Sequence, residues 1–334
     1  MIFVGKESYC HYQSIQAAIN DLEKNNSDEA TSLYILSGYY HEQVIIKRSN
    51  LKIKGIGLVV IEYGLSANTR DEFGSSLGTF RTPTLYVGGS HNQVENLTVI
   101  NSAGYGKEVG QAIAVYADCD ETIFRNCRMI GYQDTLFTGR LPDVQKDGSA
   151  FNLLEASEKR AYYRQVYESC YISGSVDFIF GGAQAYFHQC ELNSRSEDKR
   201  LDGYITAAST PQNQEFGFIF KACWLTAESG VAGVYLGRPW RPYAKTTFID
   251  CYYGDHIHPS GWHDWDKAIN QETVTYEEQT ERKWKRVRWS RVSNKLEKNY
   301  ELETIFPNSH FYKKDRDLSN EENNKKPSFT RIQS

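Results

Sequence analysis

The chain has 334 residues, 24% of them charged, with a formal net charge of −4 and a pI of about 6.1. That balance excludes the basic excess of a nucleic-acid binder, and it gives a polyanionic ligand no long-range attraction, so local groups must hold one. No apolar run reaches membrane-spanning length, and the seven cysteines, odd in number and without a C-x-x-C pair, do not suit a zinc or thioredoxin-type site.

The opening residues, Met1 to Glu7, lack the basic, apolar and small-residue succession of a secretory signal. With Met1 as the native start, the expected location is cytoplasmic; the alternative is secretion with an export signal already removed. Tyr12 to Leu22 reads as an amphipathic helix, with Ile15, Ala18, Ile19 and Leu22 on one face and the polar run Asn25 to Asp28 ending it. Short β-branched segments follow, such as Leu33-Tyr34-Ile35-Leu36 and Val44-Ile45-Ile46, separated by Gly or Asn turns.

A short motif then recurs: Asn or Cys, any residue, an apolar residue. It occurs at Asn96, Cys127, Cys170, Cys190, Cys223 and Cys251, at intervals of 31, 43, 20, 33 and 28 residues. Intervals so uneven do not fit a helical repeat. They fit a β-solenoid whose strands keep register while its loops vary. Like residues then stack in ladders, and thiols pack there as small apolar groups. The predicted fold is all-β, a single parallel β-helix with an N-terminal capping helix. One domain covers 1–312, and 313–334 is a charged tail with the composition of a solvated segment.

Two stretches share a layout: Gly131-Tyr132-Gln133-Asp134-Thr135-Leu136 and Gly174-Ser175-Val176-Asp177-Phe178-Ile179-Phe180-Gly181. Each aspartate lies seven residues after a repeat cysteine, Cys127 or Cys170. Equal offsets place the two carboxylates at one level of stacked coils, on strands about 4.8 Å apart. This requires the polar stretch from Thr138 to Arg160 to be an excursion rather than an extra coil. Neighbouring carboxylates cannot both ionise freely, so the pair offers a neutral acid beside a charged nucleophile. An isolated turn aspartate more often caps backbone; two in register favour chemistry. Leu236-Gly237-Arg238-Pro239-Trp240 adds an arginine able to orient a nucleophilic carboxylate and an aromatic face for a sugar. Gln111 and Gln133 are neutral amide donors suited to a developing oxyanion, although either alone fits ordinary strand-end bonding.

Together these segments resemble the pectin methylesterases, the aspartyl esterases of carbohydrate esterase family 8. The five matching stretches, in order, are Gly38 to Glu42, Gln111 to Val115, Gly131 to Leu136, Asp177 to Gly181 and Leu236 to Trp240, within a likeness running from Tyr12 to Trp265. The resemblance implies a right-handed parallel β-helix with an open cleft that works without metal or other cofactor. It implies that Asp177 attacks the C6 carbonyl of a methyl-esterified galacturonate and that Asp134 serves as general acid, then base. Gln111 and Gln133 would hold the oxyanion and Arg238 would bind Asp177. Thr79, Phe180 and Trp240 would line the sugar subsites with Gln111 and Arg238. The expected partner is pectin or a methylated oligogalacturonide, met by a monomer, with no nucleic acid and no membrane. The sequence departs from the family in one respect: its aspartates are 43 residues apart, where one short coil is usual.

Two other readings use the same residues. A glycoside hydrolase also employs paired carboxylates, but it leaves the two glutamines and the arginine without a task. A non-catalytic carbohydrate-binding solenoid would retain the cleft alone. Asp118, Asp120 and Glu121, the acidic group that a calcium-dependent lyase would need, read as a solvated turn. His256, His258 and His263 fall around a surface loop, with the paired carboxylates elsewhere, a weak metal signal.

Overall fold

The computed structural model describes residues 1–24, 29–155, 160–197, 203–307 and 309; the charged tail predicted at 313–334 lies outside them. Every strand pairing between named strands is parallel, and successive coils wind through three faces. The first face is a seven-stranded sheet of Val44–Ile46, Leu85–Val87, Val115–Ala117, Leu136–Thr138, Ile179–Gly181, Gly203–Ala208 and Val234–Gly237. The other two faces are joined through the long strand Leu51–Tyr63. Its first half pairs with Gln93–Glu95 and its second with Thr98–Asn101, so it bends across the corner between them. The result is the expected parallel β-helix. Among the described residues no helix is long and apolar enough to cross a membrane.

Ladders fill the interior. Phe124, Tyr167, Phe187, Phe220 and Phe248 occupy one register and stack with ring centroids 5.0, 4.5, 4.5 and 4.6 Å apart. Each such contact adds about 0.5–1.5 kcal/mol beyond area burial. A thiol ladder runs beside them. The Cys127, Cys170, Cys190, Cys223 and Cys251 thiols each donate to a carbonyl of the preceding coil, those of Val94, Phe124, Tyr167, Phe187 and Phe220. All seven cysteines are free, so the structural reading of the repeat holds. Two details differ from expectation. The cysteines open strands rather than close them, and Arg128 pairs with Thr98, so Leu97 rather than Asn96 stands at the level of Cys127. Asn96 instead matches Asn126; both are left-handed, as are Ser169, Gln189, Ala222 and Asp250 ahead of the later cysteines. The corner demands positive φ, and its residue identity varies from coil to coil.

Helix Ile15–Lys24 buries Ile15, Ala18, Ile19 and Leu22 over the first coil. Glu42 caps it from a distance, its carboxylate accepting from Ile15 N, Gln16 N and Ser14 Oγ. An anion at a helix N-terminus satisfies free N–H groups and complements the dipole. That gives the Gly38 to Glu42 stretch a task in the fold.

No described rung separates the aspartate coils. Leu136–Thr138 pairs directly with Ile179–Gly181, and Arg128–Ile130 directly with Tyr171–Gly174. The chain from 139 leaves the coil and returns at strand Arg164–Glu168 without forming a described strand of its own. It is an excursion, but not a purely polar one. Leu141, Phe151 and Leu153 pack on a cluster of Phe80, Tyr116, Phe137 and Phe180 on the outer side of the seven-stranded sheet.

Candidate active site

Asp134 and Asp177 lie two residues before paired strands, at matching levels, since Leu136 pairs with Ile179. They sit in turns rather than on the strands themselves, both with left-handed backbones, φ 67° and 48°. Non-glycine residues rarely adopt this conformation. Aspartate tolerates it better than most, and such strain gathers where a side chain must be aimed. The two turns are laced together: Asp134 N donates to Val176 O at 3.0 Å, Leu136 N to Phe178 O at 2.9 Å and Ser175 N to Tyr132 O at 2.9 Å. Gly174 permits this approach, because a Cβ there would lie 2.3 Å from the Phe178 Cβ and 2.5 Å from Tyr132 O.

The two carboxylates have different surroundings. Asp177 is held by Arg238 through two bonds, Nε to Oδ1 at 2.8 Å and Nη2 to Oδ2 at 2.7 Å. This fork fixes the carboxylate plane and supplies a permanent countercharge. Arg238 is fixed in turn, its guanidinium lying between the rings of Tyr204 at 3.9 Å and Trp265 at 3.8 Å. Asp134 is buried, and no side-chain hydrogen bond reaches it among the described residues. Burial pushes its carboxyl well above the usual range and the Asp177 charge pushes it further, with Arg238 opposing. The environment therefore makes Asp134 the proton holder and Asp177 the charged partner. Sequence reasoning from the residues alone left those parts interchangeable.

Both carboxylates open onto a cleft of about 430 Å³, within the range of ligand sites. All eight candidates line it: Thr79, Gln111, Gln133, Asp134, Asp177, Phe180, Arg238 and Trp240. Gln111 is not the head of a strand but sits four residues before Val115–Ala117, its carbonyl accepting from Ala67 N at 2.8 Å. Gln133 immediately precedes Asp134 and accepts from Ala112 N at 3.1 Å. Thr79 begins a single 3-10 turn, Thr79–Arg81. Trp240 stacks on Phe80 at 6.3 Å and meets Phe180 edge-on at 5.8 Å, forming one aromatic wall.

Sequence reasoning missed several lining residues. Phe80, Arg241 and Trp265 are among them, and the excursion contributes Gln145, Lys146, Asp147 and Phe151. Only the unusual spacing of the aspartates signalled a contribution from that loop.

Two expectations outside the cleft need correcting. Asp118 and Glu121 are buried, not solvated: Tyr86 donates to Asp118, while Arg164 binds Asp120 through two bonds and Glu121 at 2.8 Å. Their oxygens serve a packed ion-pair network. His263 does have carboxylates nearby, with a ligand atom from each of His263, Asp264 and Asp266 within 4.8 Å of the others. His256 is separate and buried, its imidazole pushed down to about 4 by desolvation.

Comparison with known proteins identifies the family and the fold. The pectinesterase family model matches residues 1–147 and 157–313. Pectinesterase 31 of Arabidopsis thaliana is 31% identical over 287 residues, covering 83% of this chain and 81% of that protein. Pectinesterase 1 of Solanum lycopersicum is 31% identical over 284 residues, covering 82% of this chain but 47% of its own length, so the chain spans about half of that relative. A solved pectin methylesterase in complex with a hexasaccharide superposes with a TM-score of 0.73 at 23% identity, covering 92% of this chain and 97% of the other. These relatives overturn the cytoplasmic expectation: plant and microbial pectinesterases act on extracellular pectin, which points to secretion.

Proposed function

The chain belongs to the pectinesterase family, and we infer that its paired aspartates hydrolyse the C6 methyl ester of galacturonate in pectin or oligogalacturonides, releasing methanol. The observation that carries this reading is the asymmetry of the pair: one carboxylate clamped by Arg238, the other buried and disposed to keep its proton.

An Asp177 oxygen attacks the ester carbonyl carbon, and the carbonyl electrons move onto oxygen as a tetrahedral oxyanion. Gln111 and Gln133 donate amide N–H groups to that oxygen. They stabilise charge without titrating beside the acids, and a donor of this kind is worth about 10²–10³ in rate. As the C–O bond to methanol breaks, Asp134 transfers its proton to the departing oxygen. This leaves the galacturonoyl group on Asp177 as a mixed anhydride, with Asp134 ionised. Asp134 next takes a proton from water, whose oxygen attacks the same carbonyl carbon. The bond to Asp177 breaks, Asp177 leaves as the carboxylate, Asp134 keeps the proton taken from water, and the product departs as a carboxylic acid that loses its proton to solvent. One residue thus serves as acid and then base, which suits a carboxyl that burial and a neighbouring charge push well above its ordinary value.

Arg238 keeps Asp177 ionised and aimed throughout. The wall of Phe180 and Trp240 faces the pyranose C–H groups, and Thr79 also lines the cleft. All eight groups come from one chain, so we take a single copy as the working unit. A glycoside hydrolase reading gains no support, since the two glutamines and the guanidinium clamp serve an acyl oxyanion and a fixed nucleophile.

Methanol release from methyl-esterified oligogalacturonides tests the assignment. Asp177→Asn and Asp134→Asn are expected to lose at least about 10³ in kcat while unfolding cooperatively as the wild type does. Full turnover by Asp177→Asn would overturn it.

A further inference from the structure

The two aspartate turns are braced from outside the cleft. Gly131 and Gly174 open them, each three residues before its aspartate. The following coil's strand, Glu191–Ser194, pairs with Tyr171–Gly174 and ends level with Gly174, so Arg195 stands just past that level. Arg195 N donates to Gly174 O at 2.8 Å. Its side chain reaches one coil further, Nη1 donating to Gly131 O at 3.0 Å and Nη2 to the Tyr132 hydroxyl at 2.9 Å, with the guanidinium 3.9 Å from the centre of the Tyr132 ring. Nε turns the other way, to Glu228 Oε1 at 3.2 Å, and the second oxygen of Glu228 accepts from Ser196 N at 2.9 Å. Counting its own coil, one arginine links four in succession.

Neighbouring residues extend the brace. Ser175 Oγ donates to the buried Glu197, whose other oxygen accepts from Lys107 N at 3.4 Å. Gly106, next to Lys107, packs against Gln133 so closely that a Cβ there would lie 2.4 Å from the Gln133 Cβ. Gln133, Asp134 and Asp177 line the cleft, whereas Arg195, Glu197 and Glu228 are not among its lining residues. Inside the cleft Arg238 aims Asp177, but no side-chain hydrogen bond reaches Asp134 among the described residues. The placement of Asp134 and Gln133 therefore depends on their turn. The Arg195 and Glu228 side chains are 21% and 43% exposed, so their ion pair contributes little to stability. What it fixes is where the turn sits.

We propose that Arg195, held by Glu228, is a positioning residue for Asp134 and Gln133, fixing from outside the cleft the turn that carries the proton donor and one oxyanion donor. It touches neither the substrate nor the transferred proton. This rests on the esterase reading given above.

The test measures methanol release from methyl-esterified trigalacturonate across pH, with kcat scaled to the folded fraction from denaturant unfolding. Arg195→Met keeps an aliphatic stem on the Tyr132 ring. It is expected to lower kcat by about 10–10², the cost of a slackened catalytic geometry, with KM within about twofold of wild type. Asp177 and Arg238 are the charged groups that act on Asp134, so Arg195 reaches it only through the turn. A looser turn admits water to Asp134 and moves the alkaline limb to lower pH, while the acid limb, set by Asp177 and Arg238, stays. Arg195→Lys keeps a charge for Glu228 without the fork and should recover part of kcat. Glu228→Gln should lower kcat in the same sense, and combined with Arg195→Met it should cost nothing more; alone it carries the test if Arg195→Met does not fold. An unmoved kcat and alkaline limb in either folded single variant overturns the proposal. So does a loss confined to KM, which would put Arg195 on the substrate. Absence of methanol release by the wild type overturns the esterase reading and the proposal with it.

Discussion

Replacing Arg238 by methionine tests how the pair divides its labour. The side chains of Arg238 and Asp177 retain only 16% and 8% of their exposure. Removing one partner of such a pair strands a buried charge, at about 3–5 kcal/mol for full burial; partial screening here places the expected loss near 3 kcal/mol. The pH profile is more diagnostic. Asp177 must be ionised to attack, and the adjacent guanidinium favours the ionised form, so its removal moves the acid limb of kcat/KM upward. Asp134 must be protonated to serve the leaving group, and Arg238 opposes its raised value. Its removal therefore moves the alkaline limb upward too. The whole bell should shift to higher pH, as macroscopic values of a coupled pair, with a lower maximum because the nucleophile is no longer aimed. Arg238→Lys, a point charge without the fork, should keep the bell near its wild-type position but not its height. Methanol release measured across pH on folded protein gives both limbs. A profile unmoved in Arg238→Met would refute the reasoning.

Three further expectations follow from the same geometry. Asp134→Asn should be more stable than the wild type at neutral pH despite losing activity. The raised Asp134 keeps its proton when folded, while the unfolded side chain releases it near pH 4, so wild-type stability falls as pH rises from there through the folded value. The advantage of the variant should grow by up to about 1.4 kcal/mol per pH unit in that window, and denaturant unfolding at several pH values that gave a constant difference would contradict it. Gln111→Ala and Gln133→Ala should each lower kcat by about 10²–10³ with a smaller effect on KM; a loss confined to KM would remove them from the oxyanion. Gly181→Ala should cost at least about 2 kcal/mol in denaturant unfolding, since Gly181 has φ 128° and a Cβ there would lie 1.8 Å from Thr138 O. Wild-type stability in that variant would mean the two aspartate coils are not packed this closely.

Much of this architecture was legible in the sequence because a solenoid repeats its internal positions. The five cysteines marked coil starts, and equal offsets from Cys127 and Cys170 placed Asp134 and Asp177 level before any coordinates. The same regularity misled at Asn96. The corner is defined by its left-handed backbone, which asparagine, serine, glutamine, alanine and aspartate all adopt here, so residue identity blurred the register by one. Arg238 was visible through its motif, but Tyr204 and Trp265, which hold it, lie 34 and 27 residues away. Their roles depend on stacking between coils, which no local pattern encodes. The excursion was harder still. Its polar composition concealed Leu141, Phe151 and Leu153, three scattered apolar residues that dock it beside the cleft. The acidic group at Asp118 to Glu121 looked solvated because its main partner, Arg164, arrives from the next coil.

The central claim is that Asp177 becomes covalently acylated while Asp134 manages the proton, and acid quenching of turnover tests it most directly. Wild-type protein mixed with methyl-esterified trigalacturonate, quenched within the first turnovers and mapped by peptide mass, should carry the galacturonoyl increment on the peptide containing Asp177. The increment should be absent from Asp177→Asn. The same increment on the Asp134 peptide, or methanol release that continues in Asp177→Asn, would contradict the account.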